Sequence, residues 1–434
     1  MAGELGTWNA VLKTIHEKKI ISQLNRKQQF ANDLFNKETE LPYQGKKISW
    51  PVEVQGTESV GFVAEMGTIP DAGNPVIIEA TVPISYTYGR IQLSKQSMSA
   101  SRQSKGAYKR IMDVHMSGLV RDIAHKREFA LWHDGTGKLA LMSGTGGATW
   151  ELKGPGGVGT ATTNANRYIN PNMLLAVVRD TDSDGVADTF VGARRVTSIN
   201  TDGTDITPSS SLTTVDGDWV VWAANTTGTS IVNTTSANKA LPGLLALVDD
   251  NTYVTTLQGI NRNTYPQFRS RVFAATGAVS ADIIQQGLDV ADQLSGGDGV
   301  MKLACHHSVR RAILRVMEGD RRYTMENLMK PQMGTAAAKA PSKAKITFGG
   351  IEIHESYAAP YGILFGLSDS AGFTRWVEEE GQWADEDGSV LRWVDNVDAF
   401  QAYYRIFDTQ TIDRPNTCVR WDGITADVIA IHIY

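Results

Sequence analysis

The sequence predicts an α+β chain of several lobes, and three features of its 434 residues carry that prediction. Apolar and polar residues alternate without a break over 76–89, which is the period of a half-buried β-strand. An amphipathic helical pattern follows from about 104 to 133. Between 140 and 264 the composition shifts to Gly, Thr, Ser, Asn and Asp around short apolar strands. Because one simple core rarely organises a chain this long, we expect two or three lobes.

The chain opens with a segment of scattered Ile and Leu among Lys, Gln and Asn, over 1–45. This pattern predicts one or two weakly amphipathic helices that can lie across a neighbouring molecule. A long β-hairpin is predicted next, over 46–98. Residues 46–65 read as extended, and 67–75 contains two Gly and two Pro, which marks a tip.

The second strand of this hairpin has an unusually long apolar face. At about 3.3 Å per residue it spans roughly 46 Å, which exceeds the usual strand of a compact domain. We therefore expect the hairpin to leave its own domain. Its apolar face consists of Val76, Ile78, Ala80, Val82, Ile84, Tyr86 and Tyr88.

The helix over 104–133 has a plausible N-cap in Ser104 and a stop in Gly135. About thirty residues give a rod of roughly 45 Å. Two further helices are predicted at 280–294 and 308–318, on either side of a strand at 300–305. The apolar stripe of the long helix comprises Tyr108, Met112, His115, Leu119, Ile123 and Ala130.

The order of these elements resembles the major capsid proteins of tailed bacteriophages, which have the Hong Kong 97-like fold. The C-terminal third adds motifs to the resemblance. Residues 348–354 and 360–366 are similar to the late axial-domain strands of that family. Residues 383–393 and 399–405 are similar to its closing peripheral strands, and Arg-Pro-Asn at 414–416 resembles a common near-terminal turn.

The resemblance implies a division of the chain and a role for each part. The hairpin corresponds to the extended loop that lies over a neighbouring subunit, and the long helix to the spine of the peripheral domain. We expect the β-rich insertion, a small barrel or sandwich, on the outer surface. The implied parts are an N-terminal arm (1–45), an extended loop (46–98), a peripheral domain with the spine helix (99–139), an axial domain (140–370) with the β-rich insertion at about 175–260, and a return to the peripheral domain (371–434).

The function implied by the resemblance is structural and not enzymatic. The chain would assemble as hexamers and pentamers into an icosahedral shell, the virion capsid, around double-stranded DNA. Its implied partners are itself, a separate scaffolding protein, a portal and a decoration protein. No apolar run long enough to span a membrane occurs, so no membrane partner is expected. An encapsulin-like bacterial compartment is the nearest alternative, although the insertion and the greater size argue against it.

Cysteine usage agrees with assembly in the host cytoplasm. The chain has two cysteines, Cys305 and Cys418, far apart in sequence, and no apolar leader opens it. The tip at 67–75 contains no lysine, so a covalent Lys to Asn crosslink of the kind some family members form is not expected. We expect noncovalent contacts to close the shell.

The charge distribution is more informative than the net charge of −5. Residues 86–127 carry nine Lys or Arg against two Asp, and 371–400 carry eight acids against two Arg. These opposite blocks would fix the register of neighbouring subunits, or they are two solvated faces. A second use for the basic block is nonspecific contact with packaged DNA, through Lys105, Lys109, Arg110 and Arg121. The candidate interface residues are Val76, Ile78, Val82, Ile84, Tyr86, Tyr88, Glu378, Glu379, Glu380 and, in a candidate axis loop, Arg321 and Arg322.

One local motif suggests a metal. Asp180, Asp182, Asp184 and Asp188 alternate around Gly185, and such a turn can direct several hard oxygens at Ca²⁺. The twelfth position, however, is valine, where an EF-hand needs a bidentate Glu. The motif is therefore either a structural Asp/Gly turn or a weak calcium site, and a calcium-binding surface or enzyme protein is the alternative from a different class. No other cofactor is predicted.

The sequence contains few arrangements of residues that are typical of a catalytic site. Cys305 stands beside His306 and His307, but adjacent strand residues point to opposite faces, so no Cys/His pair is implied. Cys305 follows apolar residues and reads as a buried strand thiol. The sequence contains neither a zinc-binding His-Glu-x-x-His motif nor a Gly-x-Ser-x-Gly elbow.

Overall fold

The computed structural model describes residues 34–38, 47–96, 105–200, 202–225, 230–320, 346–385 and 388–425. It describes the backbone alone at 38, 105–114, 233, 276 and 318–320. Several predictions fall outside these residues: the arm over 1–45 except for 34–38, the N-cap Ser104, and Arg321 and Arg322 of the candidate axis loop.

The described chain is mixed α+β, as the sequence predicts. The strands are β1 (Asn36–Glu38), β2 (Lys47–Gln55), β3 (Val76–Pro83), β4 (Ser85–Ser94), β5 (Lys138–Met142), β6 (Trp150–Lys153), β7 (Leu174–Arg179), β8 (Thr189–Ile199), β9 (Asp205–Pro208), β10 (Trp219–Trp222), β11 (Thr256–Leu257), β12 (Ile260–Asn261), β13 (Arg271–Gly277), β14 (Lys302–Cys305), β15 (Thr347–Phe348), β16 (Ile351–Glu355), β17 (Leu364–Leu367), β18 (Thr374–Trp383), β19 (Arg392–Trp393), β20 (Ala399–Thr411) and β21 (Val419–Ile424). The α-helices are α1 (Lys105–Trp132), α2 (Ile231–Thr234), α3 (Leu244–Leu247), α4 (Ala281–Ser295) and α5 (His307–Asp320).

The long alternating run forms two strands and not one. β3 pairs with β2 as an antiparallel hairpin, whereas β4 pairs with β20 in a different sheet. The chain changes sheets at Ile84, and the buried face changes parity there. Ala80 and Val82 are buried before the break, and Ile91 and Leu93 are buried after it. Unbroken alternation in sequence therefore conceals a change of face.

Helix α1 confirms the predicted long helix, and it packs on a sheet in which β18, β20 and β4 lie side by side and β1 pairs in parallel with the free edge of β18. Its buried face is shifted from the predicted stripe. Met116, Val120, Ile123 and Ala124 are buried, whereas His115, predicted to lie on the apolar stripe, is exposed. The close approach of helix and sheet depends on Gly89, where an added Cβ would lie 2.8 Å from Ile123 Cδ1.

A closed six-stranded barrel follows α1, in the order β10-β5-β6-β9-β8-β7. Closure leaves this module without an exposed strand edge. Its interior is apolar and includes the fully buried Trp150, Leu139, Val177 and Val220. The barrel strands span 138–222, an earlier stretch than the predicted insertion at about 175–260. The insertion bounds leave out β5 and β6, although both lie near the start of the stretch over 140–264 in which the composition predicts short strands.

A second mixed sheet has the order β13-β21-β17-β14-β16-β15, and α4 and α5 provide the two predicted helices beside it. Helix α4 begins at Ser280, whose hydroxyl accepts a hydrogen bond from Ile283 N at 3.2 Å. It ends at Gly296, which has a φ of 77°. None of the described helices combines the length and the apolar character needed to cross a bilayer.

Candidate assembly surfaces

The hairpin formed by β2 and β3 ends in a long connection, which we call the hairpin loop (residues 56–75). Large apolar side chains on it are almost completely exposed: Val60 at 93%, Phe62 at 111% and Met66 at 100%. The hairpin loop also carries three acids and no Lys or Arg. Apolar exposure concentrated in one segment is typical of an interaction surface.

The base of the hairpin is anchored in the body of the same chain. Thr81 N donates to Gln258 O at 2.8 Å, in the β11–β12 region. Ile48 and Ala80 are fully buried there, and Trp50 packs against the same core. The hairpin therefore leaves the body from a fixed base, and only its outer part is exposed.

The predicted interface residues of the hairpin separate into two groups. Val82 and Ile84 are buried within their own chain, at 5% and 6% exposure, so they do not belong to the free surface. Ile78 is half-buried. Val76, Tyr86 and Tyr88 are exposed and remain available for contact with another molecule.

Tyr86 and Tyr88 form part of an open sheet face. Both rings meet Phe407 of β20 edge to face, with centroids 4.9 and 5.5 Å apart. Beside them Arg405 forms an ion pair with Glu379 of β18 at 2.6 Å. The fold thus brings together the aromatic and acidic candidate residues, which lie almost three hundred positions apart in sequence. We call Tyr86, Tyr88, Arg405, Phe407 and Glu379 the aromatic sheet face.

Neighbouring charged residues shift the pKa of Tyr88 and pair with each other on the aromatic sheet face. The pKa of Tyr88 is raised, first by partial burial of the phenol and then by the nearby carboxylates, while Arg405 acts in the opposite direction. Glu380 forms an ion pair with Lys37 of β1 at 2.6 Å, and both side chains are partly exposed. Glu378 is exposed. Two of the three acidic residues predicted to contact a neighbouring subunit, Glu379 and Glu380, therefore already have ion-pair partners within their own chain.

The basic and acidic blocks also meet inside the chain. Lys95 lies over the ring of Trp393, with its Nζ 5.1 Å from the centroid. Of the four candidate DNA-facing residues, Lys105, Lys109 and Arg110 lie in the first turns of α1, and Arg121 is exposed on the same helix. Contact with DNA stays a prediction.

The Asp motif forms the turn between β7 and β8. Carboxylate oxygens of Asp180, Asp182 and Asp188 lie within 4.8 Å of one another. Asp184 is engaged elsewhere, since it accepts a hydrogen bond from Val186 N at 2.8 Å. The fold therefore brings together three of the four predicted ligands.

Local hydrogen bonds account for much of this cluster. Asp180 accepts from Ser183 N at 2.7 Å and from Gly185 N at 3.0 Å. Asp188 accepts from the Thr181 hydroxyl at 2.6 Å, and this bond is the main reason that the pKa of Asp188 is lowered. Asp182 and Asp188 are exposed and Asp180 is half-buried, and one oxygen from each of the three carboxylates falls short of the six to eight oxygens that Ca²⁺ prefers. The geometry favours the structural turn.

The candidate thiol is buried on β14. Burial raises the pKa of Cys305 to about 12, so the thiol stays protonated near neutral pH. Burial and the nearby Arg167 lower the pKa of His306 to about 2. The side chain of His306 instead accepts a hydrogen bond from Ser308 N at 3.1 Å, at the start of α5. This arrangement agrees with the prediction of a structural thiol.

Two buried charge networks could not be foreseen from sequence. Asp408 on β20 lies between Arg127 of α1 and Arg375 of β18. In the second network, Asp249 contacts Arg262 and Arg420, and all three side chains are fully buried. Both networks join segments well separated in sequence, and no local pattern announces them.

No family model matches the sequence, and no curated protein matches it. Several solved structures contain chains of similar fold. A chain of a cyanophage A-1(L) capsid asymmetric unit is 11% identical, with a TM-score of 0.47 and coverage of 90% of both chains. A chain from the capsid of an empty GTA particle is 7% identical, with a TM-score of 0.45 and coverage of 91% of this chain and 89% of that one. A chain of Gordonia phage Cozz is 9% identical, with a TM-score of 0.41 and coverage of 91% and 86%.

Proposed function

We propose that this chain is the major capsid protein of a tailed bacteriophage. It assembles as hexamers and pentamers into an icosahedral shell that encloses double-stranded DNA. The observation that carries the proposal is the hairpin loop, which presents Phe62 and Met66 to solvent at the end of an anchored hairpin. A lone subunit gains nothing from this exposure, whereas a neighbouring subunit can cover it.

The geometry also favours rings over simple dimers. The hairpin loop and the patch that covers it on a neighbouring copy are different surfaces of one chain. Contact between two different surfaces is heterologous, and it generates closed rings when the rotation between copies closes. Hexamers and pentamers are rings of this kind.

The further parts of the proposal concern partners. The closed barrel lies on the outer surface of the shell, where a decoration protein can bind it. Scaffolding and portal proteins complete the assembly. Exposed cations such as Arg121 contact packaged DNA through its phosphates. The net charge of −5 keeps this contact weak, which suits a shell that must confine DNA without binding it tightly.

Electron microscopy of the purified chain after gel filtration tests the proposal. We expect rings or closed particles, from the chain alone or after addition of a candidate scaffolding protein. A species that stays strictly monomeric under both conditions would refute it. Nuclease-resistant DNA in shells purified from the host would separate a phage capsid from a compartment that encloses protein cargo.

A matched pair of variants tests whether the exposed apolar side chains of the hairpin loop are needed for assembly. Phe62→Ser combined with Met66→Ser removes exposed apolar surface from the hairpin loop. Val186→Ser combined with Val215→Ser removes exposed apolar surface from the barrel, where both residues are 48% exposed. We expect the first variant to lose assembly and the second to retain it. Equal assembly of the two would show that the hairpin loop is not an assembly contact.

A further inference from the structure

A cavity of about 560 Å³ lies where α1, β4 and the barrel meet, and we call it the junction pocket. One wall is apolar and includes Leu119, Ile123 and Phe129 of α1. Residues 167, 168 and 170–174, from the connection between β6 and β7 and the start of β7, also line the pocket. The pocket is large enough for a few side chains of another molecule and too small for a folded element.

Arg167 is the distinctive group of this pocket. It is only 5% exposed, and its guanidinium carbon lies 4.2 Å from the ring centroid of Tyr168 and 4.0 Å from that of Tyr361. Its Nη2 donates to Ala359 O at 2.6 Å. Nε and Nη1 form no close hydrogen bond with the described residues. Burial lowers the pKa of Arg167, and the neighbouring Tyr361 side chain offsets part of that effect.

Buried cationic donors without an acceptor are costly, and a carboxylate or phosphate relieves that cost most effectively. A second cation supports this reading. The ammonium of Lys126 also faces the pocket and lies 5.4 Å from the ring centroid of Trp222. Asp122 contributes one carboxylate to the lining, and His125 shares a hydrogen bond with the Tyr357 hydroxyl at 2.7 Å. The pocket therefore combines an apolar wall with two cationic side chains and the carboxylate of Asp122, which offsets part of the lowering that burial imposes on the pKa of Lys126.

The hairpin loop has the complementary chemistry. It carries Glu58, Glu65 and Asp71, together with the exposed Phe62 and Met66. Because these apolar side chains are exposed in their own chain, they do not fill that chain's own pocket. A second copy can supply both the missing acceptor and an apolar group for the α1 wall.

We propose that the junction pocket receives the hairpin loop of a second copy, with a loop carboxylate bound to Arg167 and Lys126 and an apolar loop side chain against α1. The inference rests on the proposed function, and it names the place on the neighbour where the hairpin ends. Nothing in the pocket requires a reaction, since the contact is an ion pair with apolar packing.

Disulfide trapping tests the position directly. Met66→Cys and Asn170→Cys are made in separate chains, mixed in equal amounts, assembled and mildly oxidised. Asn170 lines the pocket and is exposed, and the native Cys305 and Cys418 are fully buried. A disulfide-linked dimer is expected for this mixture. The control mixture pairs Met66→Cys with Asp298→Cys, an exposed residue outside the pocket lining, and it should stay unlinked. Absence of the dimer, or equal linkage in the control, overturns the proposal.

Charge neutralisation tests the chemistry. The variant Glu58→Gln, Glu65→Gln, Asp71→Asn should need at least about tenfold more protein for half-assembly, which is the effect of losing one charge-assisted hydrogen bond. The control Glu151→Gln, Asp202→Asn, Asp298→Asn removes three exposed acids outside the pocket and should assemble like the wild type. Charge reversal adds a rescue: Lys126→Glu should weaken assembly, and Lys126→Glu combined with Glu65→Lys should restore it. Circular dichroism and gel filtration of each variant check that it folds like the wild type before assembly is compared.

The outcomes separate this inference from the proposed function. If the loop variants form shells like the wild type, the proposed function stands and the pocket assignment fails. If inorganic phosphate raises the melting temperature of the wild type while loop neutralisation changes nothing, the pocket takes a free anion and the proposal is overturned. If the wild type forms no rings or shells, both proposals fail.

Discussion

Replacement of Asp408 by asparagine should destabilise the lobe formed by α1 and its sheet. Asp408 is fully buried, and it accepts a hydrogen bond from Arg127 Nη1 at 2.9 Å and another from Arg375 Nε at 2.6 Å. The arginines come from α1 and β18, so one carboxylate joins the helix to two strands of the sheet. The asparagine side chain would keep an acceptor oxygen but would leave two enclosed guanidinium groups without a countercharge.

The size of the effect follows from burial. The side chains of Arg127 and Arg375 are 5% and 13% exposed, so water compensates little for the lost charge. Removal of one partner from a buried pair costs about 3–5 kcal/mol. This is a large part of the roughly 5–15 kcal/mol that stabilises a typical domain. The exposed Asp398, in the same lobe, is the matched control, and Asp398→Asn should change the free energy of unfolding by less than about 0.5 kcal/mol.

The pH dependence gives a second signature of the same residue. Burial alone would raise the pKa of Asp408, but Arg127 and Arg375 outweigh it and lower that pKa below its ordinary value. The contribution of Asp408 to stability is therefore fully present above about pH 4, and it is lost as the pH falls through the lowered folded pKa. Asp408→Asn should lose this acid-sensitive part.

Denaturant unfolding followed by hydrogen exchange of peptides from α1 and β20 measures the effect in the relevant lobe. Local readout matters because a chain of several lobes need not unfold in one step. Equal destabilisation by Asp408→Asn and Asp398→Asn would refute the reasoning, since it would mean that the buried arginines do not depend on the carboxylate.

Three further predictions concern packing, acid and metal. Gly89→Ala should lower the free energy of unfolding by about 1–3 kcal/mol, because the new Cβ meets Leu119 and Ile123. Gly118→Ala, which has open space around it on α1, should raise that free energy by up to about 1 kcal/mol. Denaturant midpoints of the two variants measure the difference. His306 is neutral in the fold, with a pKa of about 2. Its own contribution should lower the free energy of unfolding by about 1.4 kcal/mol between pH 7.5 and 5.5, because the unfolded chain takes up a proton on this residue in that range. His306→Asn should remove that loss, and an unchanged pH slope would contradict the assignment. If the Asp turn binds calcium with a Kd of about 1 mM, calcium at about 1 mM should raise the free energy of unfolding by no more than about 0.4 kcal/mol. A large rise in melting temperature that Asp180→Asn abolishes would instead support a metal site.

The sequence predicts the three long helices α1, α4 and α5 well because their signals are local, whereas the four-residue helices α2 and α3 are not predicted. The periodic pattern before Gly135 places α1 to within one residue at each end, and the bounds of α4 and α5 agree to within two residues. Ser280 and Gly296 mark the ends of α4 as a cap and a left-handed stop. Such features involve residues a few positions apart, so periodicity and capping rules reach them.

The hairpin shows where local patterns end. Alternation predicts one strand at 76–89, but it cannot reveal that Ile84 separates two sheets, because exposed tyrosines continue the apolar pattern of buried aliphatic residues. Only the pairing of β3 with β2 and of β4 with β20 determines the parity of each part. The same limit applies to buried charges. Arg127 and Asp408 are separated by 281 positions, and Arg167 becomes distinctive only once α1 and the barrel enclose it.

The groups that already have partners within the chain, and those that do not, indicate how far charge pairs and apolar burial each contribute to contacts between subunits. Glu379 and Glu380 of the acidic block already have partners in their own chain, so they contribute little new attraction between subunits. Two of the features described above lack a partner within the described chain: the apolar side chains of the hairpin loop and two buried donors of Arg167. Apolar burial supplies most of the affinity in such a contact, because charge pairs mainly fix register and speed encounter. Salt should therefore slow association of the subunits more than it reduces the final amount of assembled protein, since screening weakens steering without exposing the buried apolar surface.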